Sequence, residues 1–254
     1  MVEINGLLAG RKALVTGASS GIGAAAARVF CEAGASVFLV ARREAELASL
    51  TAELTAQGHT AGYAVADVAD PGAARAAVEA AAERLGGLDA AFNNAGTATV
   101  PAPLHLTDDA AFEDVMAVNV RGTWNCMKHE IATMLPGGGA IVNNSSVAGL
   151  VATPAAAPYI ASKHAVIGLT KAAAEYAALG VRVNALAPGT TRSEMMDQWF
   201  ALNPGLEERL HTMAPLPRTA EPREIAVAAA WLLSDAASFV VGATLPVDGG
   251  WTAR

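Results

Sequence analysis

Tyr159 and Lys163 stand four residues apart in the run Pro158-Tyr-Ile-Ala-Ser-Lys163, and Ser146 lies thirteen residues before the tyrosine. A helix rises about 1.5 Å per residue, so side chains four apart share one face and the ammonium can act on the phenol. A free phenol titrates near about 10, and its use near neutral pH asks for roughly 4 kcal/mol of differential stabilisation. Lys163 can supply part of this by favouring the phenolate. Ser146 would hydrogen-bond a substrate oxygen, contributing orientation rather than nucleophilic attack. Near the N-terminus, Thr16-Gly-Ala-Ser-Ser-Gly-Ile-Gly23 follows a short apolar run and opens a helical pattern. Glycines there let backbone approach a pyrophosphate, and a helix N-terminus presents free N–H groups to it. Phenol, ammonium and phosphate cradle together describe hydride transfer with a nicotinamide dinucleotide.

The other end of that dinucleotide is read at the close of the second strand, where an acid commonly holds the ribose 2′-hydroxyl. Here Ala41 fills the place, and Arg42 and Arg43 follow. Guanidinium groups suit a 2′-phosphate through paired, charge-assisted hydrogen bonds, so NADP(H) is favoured over NAD(H). Asp67 and Val68, after the third strand, are placed to meet the adenine, although an aspartate there could equally cap a turn.

Short β-branched runs alternate with longer alanine-rich stretches, the pattern of stacked βαβ units around a parallel sheet. Strands are expected at 13–16, 36–40, 62–66, 88–92, 140–144, 181–185 and 244–247, with helices at 22–33, 44–57, 71–85, 109–134, 159–178 and 222–234. Asp70 before Pro71 and Glu221 before Pro222 mark helix starts, and Gly34, Gly58 and Gly180 mark ends. The expected fold is α/β, a single Rossmann-like doubly wound domain with a parallel seven-stranded sheet and helices on both faces. Only residues 188–217, rich in Pro, Gly, Met and aromatics, break the rhythm. They follow the sixth strand, where ligands bind in such sheets, and read as a substrate lid.

With 254 residues, 53% of them hydrophobic and 16% charged, the chain can bury one large core. A formal charge of -7 offers no basic field for nucleic acid. No apolar run approaches the roughly 20 residues that span a bilayer, and Met1-Val-Glu-Ile-Asn-Gly lacks the order of a secretory signal. The expectation is a soluble, cytoplasmic protein. Cys31 and Cys126 fall outside any metal or redox spacing and read as buried free thiols. The five histidines show no ligand spacing, so no catalytic metal is expected.

The order and spacing of these features resemble the short-chain dehydrogenase/reductase family over essentially the whole chain, taken as one domain, 1–254. The matching elements are the glycine-rich turn, Asp67, Asn93-Asn-Ala-Gly96, Asn119, Ser145-Ser146, Tyr159-Ile-Ala-Ser-Lys163, Pro188-Gly189 and Val247-Asp-Gly-Gly250. The resemblance implies that Tyr159 is the general acid in reduction and base in oxidation. By the same likeness Lys163 binds the nicotinamide ribose and lowers the tyrosine pKa, Ser146 positions the substrate, and Asn119 holds a water of a proton relay. It also implies a cofactor site of Gly17, Ser19, Ser20, Gly21, Ile22, Gly23, Arg42, Arg43, Asp67, Val68, Asn94, Ala95, Gly96, Tyr159, Lys163, Pro188, Gly189, Thr191 and Ser193. Ser193 stands where the family often has threonine, and keeps the hydroxyl. The family likeness further implies a homotetramer built on helices 109–134 and 159–178, with the C-terminal segment near another interface.

The pocket walls are expected from Gly149-Leu-Val-Ala-Thr153, the segment after Gly96, and Met195, Met196, Trp199 and Phe200 of the lid. Such walls suit an uncharged ketone or secondary alcohol. A 3-oxoacyl thioester, with Arg121 and Lys128 as docking charges, is the alternative substrate. A nucleotide-binding regulatory protein without turnover is the alternative class.

Overall fold

The computed structural model describes residues 4–253. Seven strands form one parallel sheet in the order β3-β2-β1-β4-β5-β6-β7. In chain order they are β1 Lys12–Thr16, β2 Ser36–Ala41, β3 Ala61–Val65, β4 Ala90–Asn93, β5 Gly139–Asn144, β6 Val181–Pro188 and β7 Thr244–Val247. The helices are α1 Gly21–Glu32, α2 Glu44–Ala56, α3 Pro71–Leu85, α4 Asp109–Met116, α5 Gly122–Met134, α6 Ala157–Ala172, α7 Glu194–Leu202, α8 Leu206–His211 and α9 Pro222–Leu233.

Alternate strand residues serve two cores. Ala13, Val15, Val37, Leu39, Phe92 and Val142 meet Phe30 of α1, Leu47 of α2 and Ile225 of α9 on one face. Leu14, Phe38, Val40, Ala91, Ile141 and Val183 meet Val78 of α3 and Met127, Ile131 and Met134 of α5 on the other. Because both faces are covered, the strands read as nearly continuous apolar runs. Asp70 accepts from the Ala73 N–H at 2.7 Å to cap α3, and Glu221 and Glu224 form a reciprocal capping box on α9. Gly34, Gly58 and Gly180 close their helical segments at φ of +96°, +88° and +86°, a backbone region that favours glycine.

Two long helices differ from expectation. The stretch 109–134 is α4, a π-helical segment Ala117–Arg121, and then α5. A π turn carries one more residue than an α turn, and such insertions concentrate at functional sites. The stretch 159–178 begins earlier, at Ala157, and its last part, Ala173–Leu179, tightens to a 3₁₀ helix before Gly180. β6 also continues to Pro188, which shortens the expected lid, and the remainder contains α7 and α8. A parallel bridge between Thr191 and Ala220 joins the two roots of that lid.

Candidate active site

The reversal of strand order lies between β1 and β4, and a cleft of about 790 Å³ opens at the carboxyl ends of the strands there. Of the predicted catalytic and cofactor residues, all line this cleft except Gly23 and Asn119. Both of those support it from behind.

At its centre, Ser146 and Tyr159 are joined by a side-chain hydrogen bond. Burial holds the phenol above its usual range, and the Ser146 bond pulls it part of the way back. The Lys163 Nζ stands 5.5 Å from the centre of the Tyr159 ring and donates to the Asn144 carbonyl at 2.8 Å. Desolvation pulls Lys163 down to about 8, so it is charged at neutral pH. Burial is the larger influence on the tyrosine, and the pull against it comes from Ser146. Ser145 is set apart from Ser146 because its hydroxyl donates to the Lys163 carbonyl at 2.9 Å. The first serine anchors α6, and the second faces the tyrosine.

Asn119 lies in the π turn and is buried. Its Nδ2 donates to the Thr97 carbonyl and the Ser162 hydroxyl, each at 2.9 Å, while its Oδ1 accepts the Thr97 N–H at 2.8 Å. The side chain therefore clamps the cleft wall after Gly96 to α6. The backbone carbonyl of Asn119 accepts from Thr123 Oγ1 at 2.7 Å, which occupies an acceptor that the irregular turn exposes.

At the cofactor end, α1 has no acidic residue in its first turn, and its N-cap Ser20 makes no side-chain cap. That end is open to an anion. Gly17 adopts φ +65°, and a Cβ on it would stand 2.8 Å from Ala95 Cα. At Gly23 a Cβ would stand 2.1 Å from the Gly17 carbonyl oxygen. Asn94 braces the turn by donating to the Thr16 and Gly17 carbonyls at 3.2 and 3.3 Å, and Asn144 in turn donates to Asn94 Oδ1 at 2.9 Å. The residues thus fit a pyrophosphate: a pinned glycine turn, an uncapped helix start and no opposing carboxylate on that helix turn.

Arg42 and Arg43 diverge in what they touch. Arg42 is exposed and, among the described residues, makes no hydrogen bond or ion pair. Arg43 donates to the Ser19 hydroxyl and carbonyl at 3.2 Å each and to Glu194 Oε2 of the lid at 2.9 Å. Asp67 does cap a turn, accepting the Ala69 N–H at 3.0 Å, while still lining the cleft. Ser193 accepts the Met196 N–H at 3.2 Å and so starts α7.

The substrate end is mostly as expected. Thr97, Ala98, Val100 and Pro101 line it, as do Met195, Met196 and Trp199. Phe200 does not, and of residues 149–153 only Thr153 does. Leu202, Leu206 and Leu210 of the lid and Trp251 near the C-terminus also line it, and sequence reading missed them. Helical spacing across 199–210 was the available signal, hidden by Asn203-Pro-Gly205 between the two short helices. Arg121 and Lys128 are exposed and outside the cleft. Cys31 and Cys126 are buried free thiols, and burial pushes Cys31 up to about 12.

A family model described as enoyl-(acyl carrier protein) reductase matches residues 17–252. The chain is 60% identical to an A-factor type gamma-butyrolactone 1′-reductase (1S-forming) of Streptomyces virginiae, across 99% of each chain. It is 44% identical to a 2,5-dichloro-2,5-cyclohexadiene-1,4-diol dehydrogenase of Sphingobium indicum, over 97% of this chain and 98% of the relative. A solved short-chain type dehydrogenase/reductase from Mycobacterium ulcerans superposes with a TM-score of 0.92 at 35% identity, covering 97% of this chain and 91% of that one.

Proposed function

Because the chain belongs to the short-chain dehydrogenase/reductase family, whose members use NAD(P) and act on CH–OH and C=O groups, we propose that it is an NADPH-dependent reductase of an uncharged, ring-bearing ketone. The observation that carries this reading is the convergence of Ser146, Tyr159 and Lys163 at the centre of a cleft that the glycine turn also lines. The glycine turn, Arg42 and the Lys163 side of the cleft would hold NADPH, which when bound would supply hydride for the carbonyl carbon. Ser146 holds the substrate oxygen, and Tyr159 gives it the phenolic proton; in oxidation Tyr159 takes the proton back. Burial keeps Tyr159 protonated through the neutral range, the state that reduction needs. The charge on Lys163 favours the phenolate left behind. Asn119 holds the wall beside the carbonyl and, in the same reading, a water that returns the proton to solvent.

Support for a ring comes from the apolar walls and from two relatives whose names carry a lactone and a cyclohexadiene diol. A 2-acyl-γ-butyrolactone is the first ketone to test, followed by substituted cyclohexanones. Support for NADPH comes from Arg42, a cleft cation with no carboxylate on it. The working unit in this reading is a homotetramer. The test is NADPH and NADH oxidation with that ketone panel: turnover with NADPH preferred supports the reading, and NADH preferred at equal concentration overturns the cofactor assignment.

A further inference from the structure

Glu130 of α5 is fully buried, yet among the described residues no cation meets it. Its Oε2 accepts from Asn93 Nδ2 at 2.8 Å, and the same Nδ2 donates to Asn143 Oδ1 at 3.1 Å. Asn143 Nδ2 passes the chain on to the Thr170 hydroxyl at 2.9 Å, which donates to the Val166 carbonyl of α6. Two atoms of this cluster have no partner: Glu130 Oε1 and Asn93 Oδ1. They belong to two groups already joined by one hydrogen bond, and both are acceptors if the carboxyl is ionised. A single proton satisfies both, because a carboxylic acid and an amide pair through two parallel hydrogen bonds, of which the first is present.

We infer that Glu130 is a neutral carboxylic acid whose Oε1–H donates to Asn93 Oδ1, and that it is a positioning residue for the floor of the active site. An ionised Glu130 would bury a charge with no counter-ion and leave two buried oxygens of these joined groups unpaired, each costly in a dry interior. The surroundings agree. On α5, Cys126 one turn earlier is the ionisable neighbour, and burial holds its thiol well up. From α3 the buried side chains are Ala74, Ala77, Val78 and Ala81, while Arg75 and Glu79 pair with each other on the outside, near His129. β4 and β5 contribute Asn93 and Asn143, and the Lys163 ammonium of α6 is turned to the Asn144 carbonyl. Desolvation raises Glu130 to about 8, partly offset by Asn93.

Asn93 and Asn143 are register partners at the ends of β4 and β5. Their next neighbours are Asn94, which braces the glycine turn, and Asn144, whose carbonyl holds Lys163. The acid–amide pair thus fixes the two strand ends from which the cofactor cradle and the catalytic lysine are hung. The link to turnover rests on the reaction proposed above, whereas the protonation state can be read without it.

Glutamine supplies an N–H where the neutral acid supplies its O–H, so Glu130→Gln is the diagnostic variant. Between the ordinary carboxylate range and about pH 8, native wild type keeps a proton that the unfolded chain has released, so its stability falls with rising pH and then levels off. The variant lacks this slope. Melting of the full chain from pH 6 to pH 8.5 should show wild type losing about 5 °C relative to Glu130→Gln. Ketone reduction over the same range should fall in wild type relative to the variant by at least about twofold, centred near pH 8. A melting gap that does not change with pH, or a variant that melts lower than wild type throughout, would overturn the neutral acid. A changing melting gap with superimposable rate profiles would overturn the positioning role while leaving the proposed reaction intact.

Discussion

In the proposed reaction Tyr159 would transfer the proton and Arg42 would set the cofactor choice, and each can be tested alone. Tyr159→Phe removes the proton that the substrate oxygen needs and leaves the ring that packs the cleft. Turnover should fall by about 10²–10⁴-fold, while NADPH affinity measured by fluorescence titration changes by less than about threefold. Arg42→Ala should raise the KM for NADPH by about tenfold or more, the value of a charge-assisted hydrogen bond, with little effect on NADH in the same assay. Residues of this kind were legible in the sequence because their types and spacing state their chemistry directly: a phenol and an ammonium one helical turn apart, and an arginine pair where an acid is usual. What was not legible is how residues far apart in sequence divide the labour. Arg43 looks equivalent to Arg42 until the fold brings Glu194 to it from 151 positions away. Glu130 gave no signal as a single glutamate on a helix, because its meaning lies in Asn93 and Asn143 across the sheet.

Among the elements, the strands and the helices of the βαβ units followed from alternation and caps, since both faces of the sheet demand apolar side chains. The π turn at Ala117–Arg121 did not, because apolar spacing runs on through it and one inserted residue barely disturbs a helical pattern. That turn rests on Asn119. Asn119→Ala would strip partners from the Thr97 N–H and carbonyl and from the Ser162 hydroxyl, and should cost about 1–3 kcal/mol in denaturant unfolding. The loosened wall should raise the ketone KM more than the NADPH KM. The glycine turn is stricter. A Cβ at Gly23 would overlap the Gly17 carbonyl at 2.1 Å, so Gly23→Ala must push α1 off the turn. Cofactor binding should be lost in a titration even where the protein still folds. The lid was read as irregular from its prolines and glycines, yet α7 and α8 form on either side of Asn203-Pro-Gly205, with Ser193 as the cap of the first.

For the whole molecule, the sequence carried the sheet and its two covered faces but not the outer surface. Phe239 is fully exposed, Leu104, Leu106 and Trp124 are mostly so, and Phe112 and Tyr176 remain partly open. In the proposed homotetramer these side chains would be covered by neighbouring subunits. Sedimentation should give a particle of four times the 25.7 kDa chain mass. Phe239→Asp, in the segment after α9, and Trp124→Asp, on α5, should each reduce it to a smaller species without unfolding the subunit. The most direct measurement of all is a single-turnover experiment in which NADPH-loaded protein is mixed with a 2-acyl-γ-butyrolactone and the reduced nicotinamide absorbance is followed, for wild type and for Tyr159→Phe at equal cofactor occupancy. Loss of the absorbance in step with alcohol formed in wild type, and a flat trace in the variant, is the expected result. A variant that consumes NADPH and forms alcohol at the wild-type rate would contradict proton transfer by Tyr159.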